Sequence, residues 1–111
     1  MTFMQRSAMH FLTIKAAREI KQEIEKAGLD NLKTLADAGK SIVGTYLNGC
    51  NAQEKARYKR DLGALLQMGV TVDMLLDEIS KLMPVVGAIM KGRDGYKKGE
   101  IQNLERFLKE G

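Results

Sequence analysis

The sequence predicts an all-α fold, a compact bundle of about five helices. Three observations carry this reading. Apolar residues recur at spacings of three and four along most of the chain. The single proline, Pro84, leaves long stretches free to be helical. Glycine, asparagine and aspartate gather where the periodicity breaks, and no segment alternates with period two for long enough to make a strand. At 111 residues, with 44% hydrophobic and 29% charged residues, the chain is expected to form one domain over residues 1–111.

The first helix is expected from about Thr2 to Ala27. Met4, Ala8, Leu12, Ala16, Ile20 and Ile24 repeat every four residues, and Phe11, Ile14 and Ala17 widen the stripe. Gly28 suits a left-handed C-terminal cap. Asp30 is placed to cap a second helix, whose buried face is Leu32, Leu35, Ala36, Ile42, Val43, Tyr46 and Leu47. Gly39 and Gly44 fall inside it, each at about 1 kcal/mol relative to alanine, so close helix packing is the reason to keep them. Asn48-Gly49 ends it.

Asn51, with Glu54 three residues later, reads as a capping-box start for a third helix that buries Tyr58, Leu62, Leu65 and Leu66 and stops at Gly69. Thr71 caps a fourth, with Val72, Leu75, Leu76, Ile79, Leu82, Met83, Val86 and Met90 in one period. That register runs through Pro84, which predicts a kinked helix or two collinear ones. Asp94-Gly95 makes a turn before a last helix carrying Ile101, Leu104, Phe107 and Leu108. With short connections, consecutive helices are expected to pack as neighbours.

Composition excludes several classes of chemistry. Net charge is only +4, short of the concentrated field of most nucleic-acid binders. One cysteine rules out an internal disulfide and fits a reducing compartment. Met1 to Leu12 lacks the uninterrupted apolar run of a secretory signal, and no stretch approaches the roughly 20 apolar residues of a membrane span. A cytoplasmic protein without membrane contact is therefore expected.

Metal sites need clustered ligands, and one His and one Cys forty residues apart do not supply them. Asp73 and Asp77, one turn apart, read as a solvated acidic face, as do Glu19 and Glu23 among Lys15 and Lys26. Gly39-Lys40-Ser41 matches the end of a phosphate-binding loop, but Thr34 stands where the motif requires its first glycine. Cys50, just before the third helix and near Lys55, Arg57 and Lys59, has an argument for a lowered thiol pKa, but with His10 the only imidazole an inert loop or half-buried thiol is the expectation. His10, the only imidazole, sits between Met9 and Phe11 and reads as a core or boundary residue. No paired carboxylates suggest acid–base work. No catalytic residue, cofactor, metal or small-molecule substrate is expected, and the chain is not read as an enzyme.

The stretch Leu65 to Leu75 resembles the centre of a helix-turn-helix: a helix ending at Gly69, an apolar Val70, a capping Thr71 and an inward Leu75. That resemblance implies DNA reading by the following helix. Yet this helix presents Asp73, Asp77 and Glu78, with Lys81 its only base, which is electrostatically wrong for phosphates. Positive charge lies instead in two segments. Lys55, Arg57, Lys59 and Arg60 surround Tyr58, and Lys91, Arg93, Lys97 and Lys98 surround Tyr96. Brought together, segments 55–60 and 91–98 would make a basic, aromatic patch suited to nucleic acid.

Leu82 to Met90 is nine consecutive uncharged residues, more apolar than one core face requires. It is either a central helix or a contact surface for a second copy or another helical protein, through Leu82, Met83, Val85, Val86, Ile89 and Met90. The leading expectation is a small, non-catalytic helical interaction module that self-associates there. A nucleic-acid-binding or regulatory protein using the basic segments is the alternative.

Overall fold

A computed structural model describes residues 2–110, and all regular structure among them is helical. Seven α-helices follow one another: α1 (Phe3–Ala27), α2 (Leu32–Asp37), α3 (Ile42–Asn48), α4 (Ala52–Gln67), α5 (Val72–Leu82), α6 (Pro84–Lys91) and α7 (Tyr96–Lys109). A short 3-10 turn, Leu29–Asn31, links α1 to α2. The count exceeds five because two of the expected helices are each broken in the middle.

The first break is at Gly39, whose φ of 71° lies in the left-handed region. Its N–H donates to the Ala36 carbonyl at 3.0 Å and the Lys40 N–H donates to the Leu35 carbonyl at 2.9 Å. These two bonds make a Schellman stop. Ser41 then restarts the chain, its Oγ accepting from the Gly44 N–H at 2.8 Å. Gly39-Lys40-Ser41 is thus a helix stop and restart. Asp30 caps nothing. It lies in the 3-10 turn, and Asn31 precedes α2 without a side-chain cap bond.

The second break is at Pro84. Met83 leaves the helical region at φ −130° and ψ 84°, the extended bias of a residue before proline, and Pro84 becomes the first residue of α6. The two helices are not collinear. Ser80 Oγ lies 3.6 Å from Met90 Sδ, whereas ten residues of straight helix would span about 15 Å. A Cβ added at Gly87 would sit 3.2 Å from both Cβ and the carbonyl oxygen of Ser80, so a glycine permits this fold-back.

Gly28, at φ 95° and ψ 134°, is not the left-handed cap expected, but the caps at Asn51 and Thr71 are present. The amide of Glu54 donates to Asn51 Oδ1 at 2.9 Å, and that of Met74 donates to Thr71 Oγ1 at 3.1 Å. Gly69, at φ 103°, forms the tight corner between α4 and α5. Packing does not simply follow chain order. The fully buried Ala17, Ile20 and Ile24 give α1 an inner surface, and α5, α3 and α4 all pack against α1. α7 closes the other side against α3, α5, α6 and α4.

One polar group holds that closure. Glu100 shares a face of α7 with Tyr96, Leu104 and Phe107 and is 1% exposed. Its carboxylate accepts from the Ser41 hydroxyl and from the amides of Ile42 (3.2 Å) and Val43 (3.5 Å). A side chain of α7 thereby caps α3, and the Tyr96 hydroxyl adds a bond to the Lys40 carbonyl at 2.8 Å. Burial pushes the Glu100 pKa up, and its bonds from Ser41, Val43 and Ile42 pull it back only in part.

Glu100→Ala is expected to lower stability to chemical denaturation by about 3 kcal/mol, because it strands buried donors, whereas Glu100→Gln, which keeps one acceptor, should cost about half as much. The folded pKa of Glu100 is raised. Its contribution is therefore fully present below the ordinary glutamate pKa and is lost as pH rises through the folded value. The advantage of the native protein over Glu100→Gln should accordingly shrink as pH rises from acid toward neutral. A difference independent of pH would contradict this assignment.

Candidate functional site

Most of the apolar stretch around Pro84 lies inside the molecule. Met83, Val86 and Met90 are buried, and Leu82 and Ile89 are half-buried against the same core cluster. Val85 is the one large side chain of the set that is open to solvent, at 57%. The fold-back of α6 explains the uncharged run: a short helix packed against α2, α5 and α7 buries more than one stripe.

The basic segments are spread along the surface, and four of their eight charges are paired with carboxylates. Arg57 pairs with Glu19 at 3.0 Å and approaches Asp61 at 4.0 Å, Arg60 pairs with Asp61 at 3.3 Å, and Arg93 pairs with Asp37. Lys97 reaches Asp73 at 2.9 Å and Asp77 at 2.8 Å, so α7 engages the acids of α5. Lys59 lies 5.1 Å from the Phe107 ring centre and donates to the Glu110 carbonyl. Lys55, Lys91 and Lys98 form no ion pair among the described residues.

Neither tyrosine offers a free stacking face. Tyr58 is buried, with Arg57 over its ring at 4.6 Å and its hydroxyl 3.4 Å from the Glu19 carbonyl, and Tyr96 is half-buried. Lys59 meets α7 at its C-terminal end, about 15 Å along the helix from Lys97 at the other. The two segments are not brought into one patch.

Cys50 is a buried thiol, and the helix-terminus argument for a lowered pKa does not hold. Burial, followed by the Glu23 and Glu54 carboxylates, pushes the thiol up to about 11. Arg57 and Lys59, which suggested an activating field, engage Glu19 and the end of α7 instead, and the acids of α1 and α4 sit near the thiol. Ligand atoms of Glu23, Cys50 and Glu54 all lie within 4.8 Å of one another. Each is already engaged: Glu23 pairs with Lys26 at 3.7 Å, Glu54 accepts from Asn51 Nδ2 at 2.8 Å, and the thiol donates to the Tyr46 carbonyl at 3.4 Å. The cluster is satisfied by the protein itself. His10 is exposed rather than a core or boundary residue.

The feature missed from sequence is the outer half of α1. Helices α1 and α4 run antiparallel, with Glu19 beside Arg57 and Leu12 beside Met68 across a groove of about 240 Å3. α4 ends at Gln67, near the level of Leu12, and before Leu12 it is Met9 that packs against the core. Phe3 (83%), Met4 (80%) and Phe11 (66%) are open to solvent and Leu12 partly so.

Helical geometry explains the misreading. A repeat of exactly four residues advances 400° rather than 360°, so it drifts about 40° per step and about 200° from Met4 to Ile24. Met4 and Phe11 therefore face away from the side that Ala17, Ile20 and Ile24 bury. They form a separate seam with Ser7, at heptad-like spacing.

A buried, electronegatively surrounded thiol should be inert. Under native conditions at neutral pH, Cys50 is expected to react with an aromatic disulfide reagent at least about a hundredfold more slowly than in denaturant. Equal rates would contradict the placement. Comparison of the chain with protein-family models, with curated proteins and with solved structures yields no match.

Proposed function

We propose that this chain is a non-catalytic helical interaction module that associates with copies of itself, and that the outer half of α1 is the surface it uses. The exposure of Phe3, Met4 and Phe11 on an ordered helix is the observation that carries this reading. Three large apolar side chains on one overhanging segment are costly to hydrate, and such surfaces mark protein contacts. The helix is also properly begun: Thr2 accepts from the Gln5 amide at 3.2 Å, and the Gln5 side chain accepts from the Thr2 amide at 2.8 Å. An overhang of this length is marginal alone in water and gains from being covered.

The Pro84 stretch contributes less to such a surface, since Val85 is its main exposed apolar group. Nucleic-acid binding through segments 55–60 and 91–98 has weaker support, because Arg57, Arg60, Arg93 and Lys97 are paired with carboxylates and Tyr58 is buried.

Sedimentation velocity over a dilution series tests the proposal. The native protein should shift reversibly from monomer to a larger species, and Phe3→Ser with Phe11→Ser should keep it monomeric without lowering the unfolding midpoint. A native monomer at every concentration would sink the proposal, as would association equally strong in the double variant. Association lost instead on Val85→Ser would move the contact to α6.

A further inference from the structure

We infer that Glu23, Cys50 and Glu54 bind a single divalent cation of the zinc type through one thiolate and two carboxylates, a site separate from the α1 surface proposed above. Three segments deliver the donors: Glu23 from α1, Cys50 from the turn after α3, and Glu54 from the first turn of α4. One ligand atom of each lies within 4.8 Å of the other two. With zinc–ligand bonds of about 2.0 to 2.3 Å, tetrahedral donors stand about 3.3 to 3.8 Å apart, so shifts of about 1 Å close the set on an ion.

The pair of carboxylates beside the sulfur carries this inference. Glu23 and Glu54 stand on different helices, yet the packing of α1 against α4 draws both to one buried thiol. Two like charges brought together at the edge of a core repel. Among the described residues, the one cation paired with either is Lys26, 3.7 Å from Glu23 Oε2 with its side chain 72% exposed. An exposed pair of that kind contributes little and is readily given up. A cation held between the carboxylates offsets the repulsion that Lys26 leaves.

The contacts of the metal-free protein suit a second shell. Asn51 Nδ2 donates to Glu54 Oε1 at 2.8 Å, while Asn51 Oδ1 accepts from the Glu54 amide at 2.9 Å. The first bond orients the carboxylate and the second fixes the turn that presents Cys50, as outer partners do around metal ligands. Asn51 and Lys26 each engage one oxygen, so both carboxylates keep their other oxygen for an ion. Glu23 and Glu54 are half-buried, which gives an ion a way in from the carboxylate side.

The donor set selects the metal. Magnesium and calcium take oxygen ligands alone, whereas one sulfur with two oxygens suits zinc and its spectroscopic surrogate cobalt. Three protein ligands leave the fourth position to water. On binding, the S–H bond of Cys50 breaks, its electron pair goes to the metal and its proton to solvent, with no change of oxidation state. The thiol's bond to the Tyr46 carbonyl is given up with that proton.

Titration of the full chain with cobalt(II) under reducing conditions tests the site. A thiolate-to-cobalt charge-transfer band should grow to saturation at one ion per chain and be absent from Cys50→Ala. Glu23→Gln and Glu54→Gln should each weaken binding about tenfold or more. Lys26→Ala, which changes only an exposed competitor, should tighten it about twofold. Zinc should displace the cobalt and raise the unfolding midpoint of the native protein, but not that of Cys50→Ala.

The absence of a charge-transfer band at millimolar cobalt would overturn the inference. So would a band of equal affinity in Glu23→Gln and Glu54→Gln, which keep the thiol and are checked for native helix content: the metal would then be held by the cysteine alone. Saturation at one ion per two chains would overturn it as well, since a shared ion needs no site within one chain. None of these results bears on self-association through α1.

Discussion

Ala17, Ile20 and Ile24 have no solvent exposure, and the inner half of α1 that carries them is the surface on which α3, α4 and α5 are assembled. The constraint is one of length: α1 is about 37 Å long at 1.5 Å per residue, most of the molecule's 42 Å longest dimension, while α4 turns away at Gly69. A helix longer than its neighbours either ends in polar residues or presents something. Here the outer part keeps Phe3, Met4 and Phe11 exposed, with Met4 and Phe11 rotated to the face away from the core. The same helix organises the body and displays a second apolar seam.

The rest of the fold answers a different problem, that of closing short helices whose ends carry unsatisfied amides. α3 has seven residues and begins inside the protein. Ser41 caps it locally and Glu100 caps it from α7, so a buried carboxylate ties the last helix to the corner at Gly39. A Cβ at Gly44 would come within 3.3 Å of Asn103 Cβ, so the glycine allows α7 to approach closely enough for that bond. The fold-back at Pro84 uses the same device at Gly87.

Local chemistry was legible wherever a residue type has one dominant use. Asn51, Thr71 and Gly69 were read correctly as caps and corner, because their bonds involve residues within a few positions. Helix number was not, because Gly39 and Pro84 were read as interruptions of a continuing period rather than as stops. At Gly39 the deciding signal was the serine two residues later, a helix start. Glu100 was missed because its partners lie 57 to 59 residues away, although an acid in line with Tyr96, Leu104 and Phe107 was the available sign. The helix-terminus argument for Cys50 fails for a related reason: Lys55, Arg57 and Lys59 are near in sequence, but Glu23 of α1 is near in space. The α1 seam was hidden by an arithmetic coincidence, a four-residue repeat that looks like one stripe and is two.

Function, on this account, follows from what the core leaves uncovered. The pairing of Arg57, Arg93 and Lys97 with acids ties these three basic side chains to neighbouring segments, and burial silences the single thiol. The outer turns of α1 remain, helical and with Phe3, Met4 and Phe11 exposed. Hydrogen exchange followed at several protein concentrations tests this most directly. Amides of Met4 to Leu12 should gain protection as concentration rises, while those of α3 and α7 stay unchanged. Exchange of the α1 segment that is equally fast at every concentration would contradict the account.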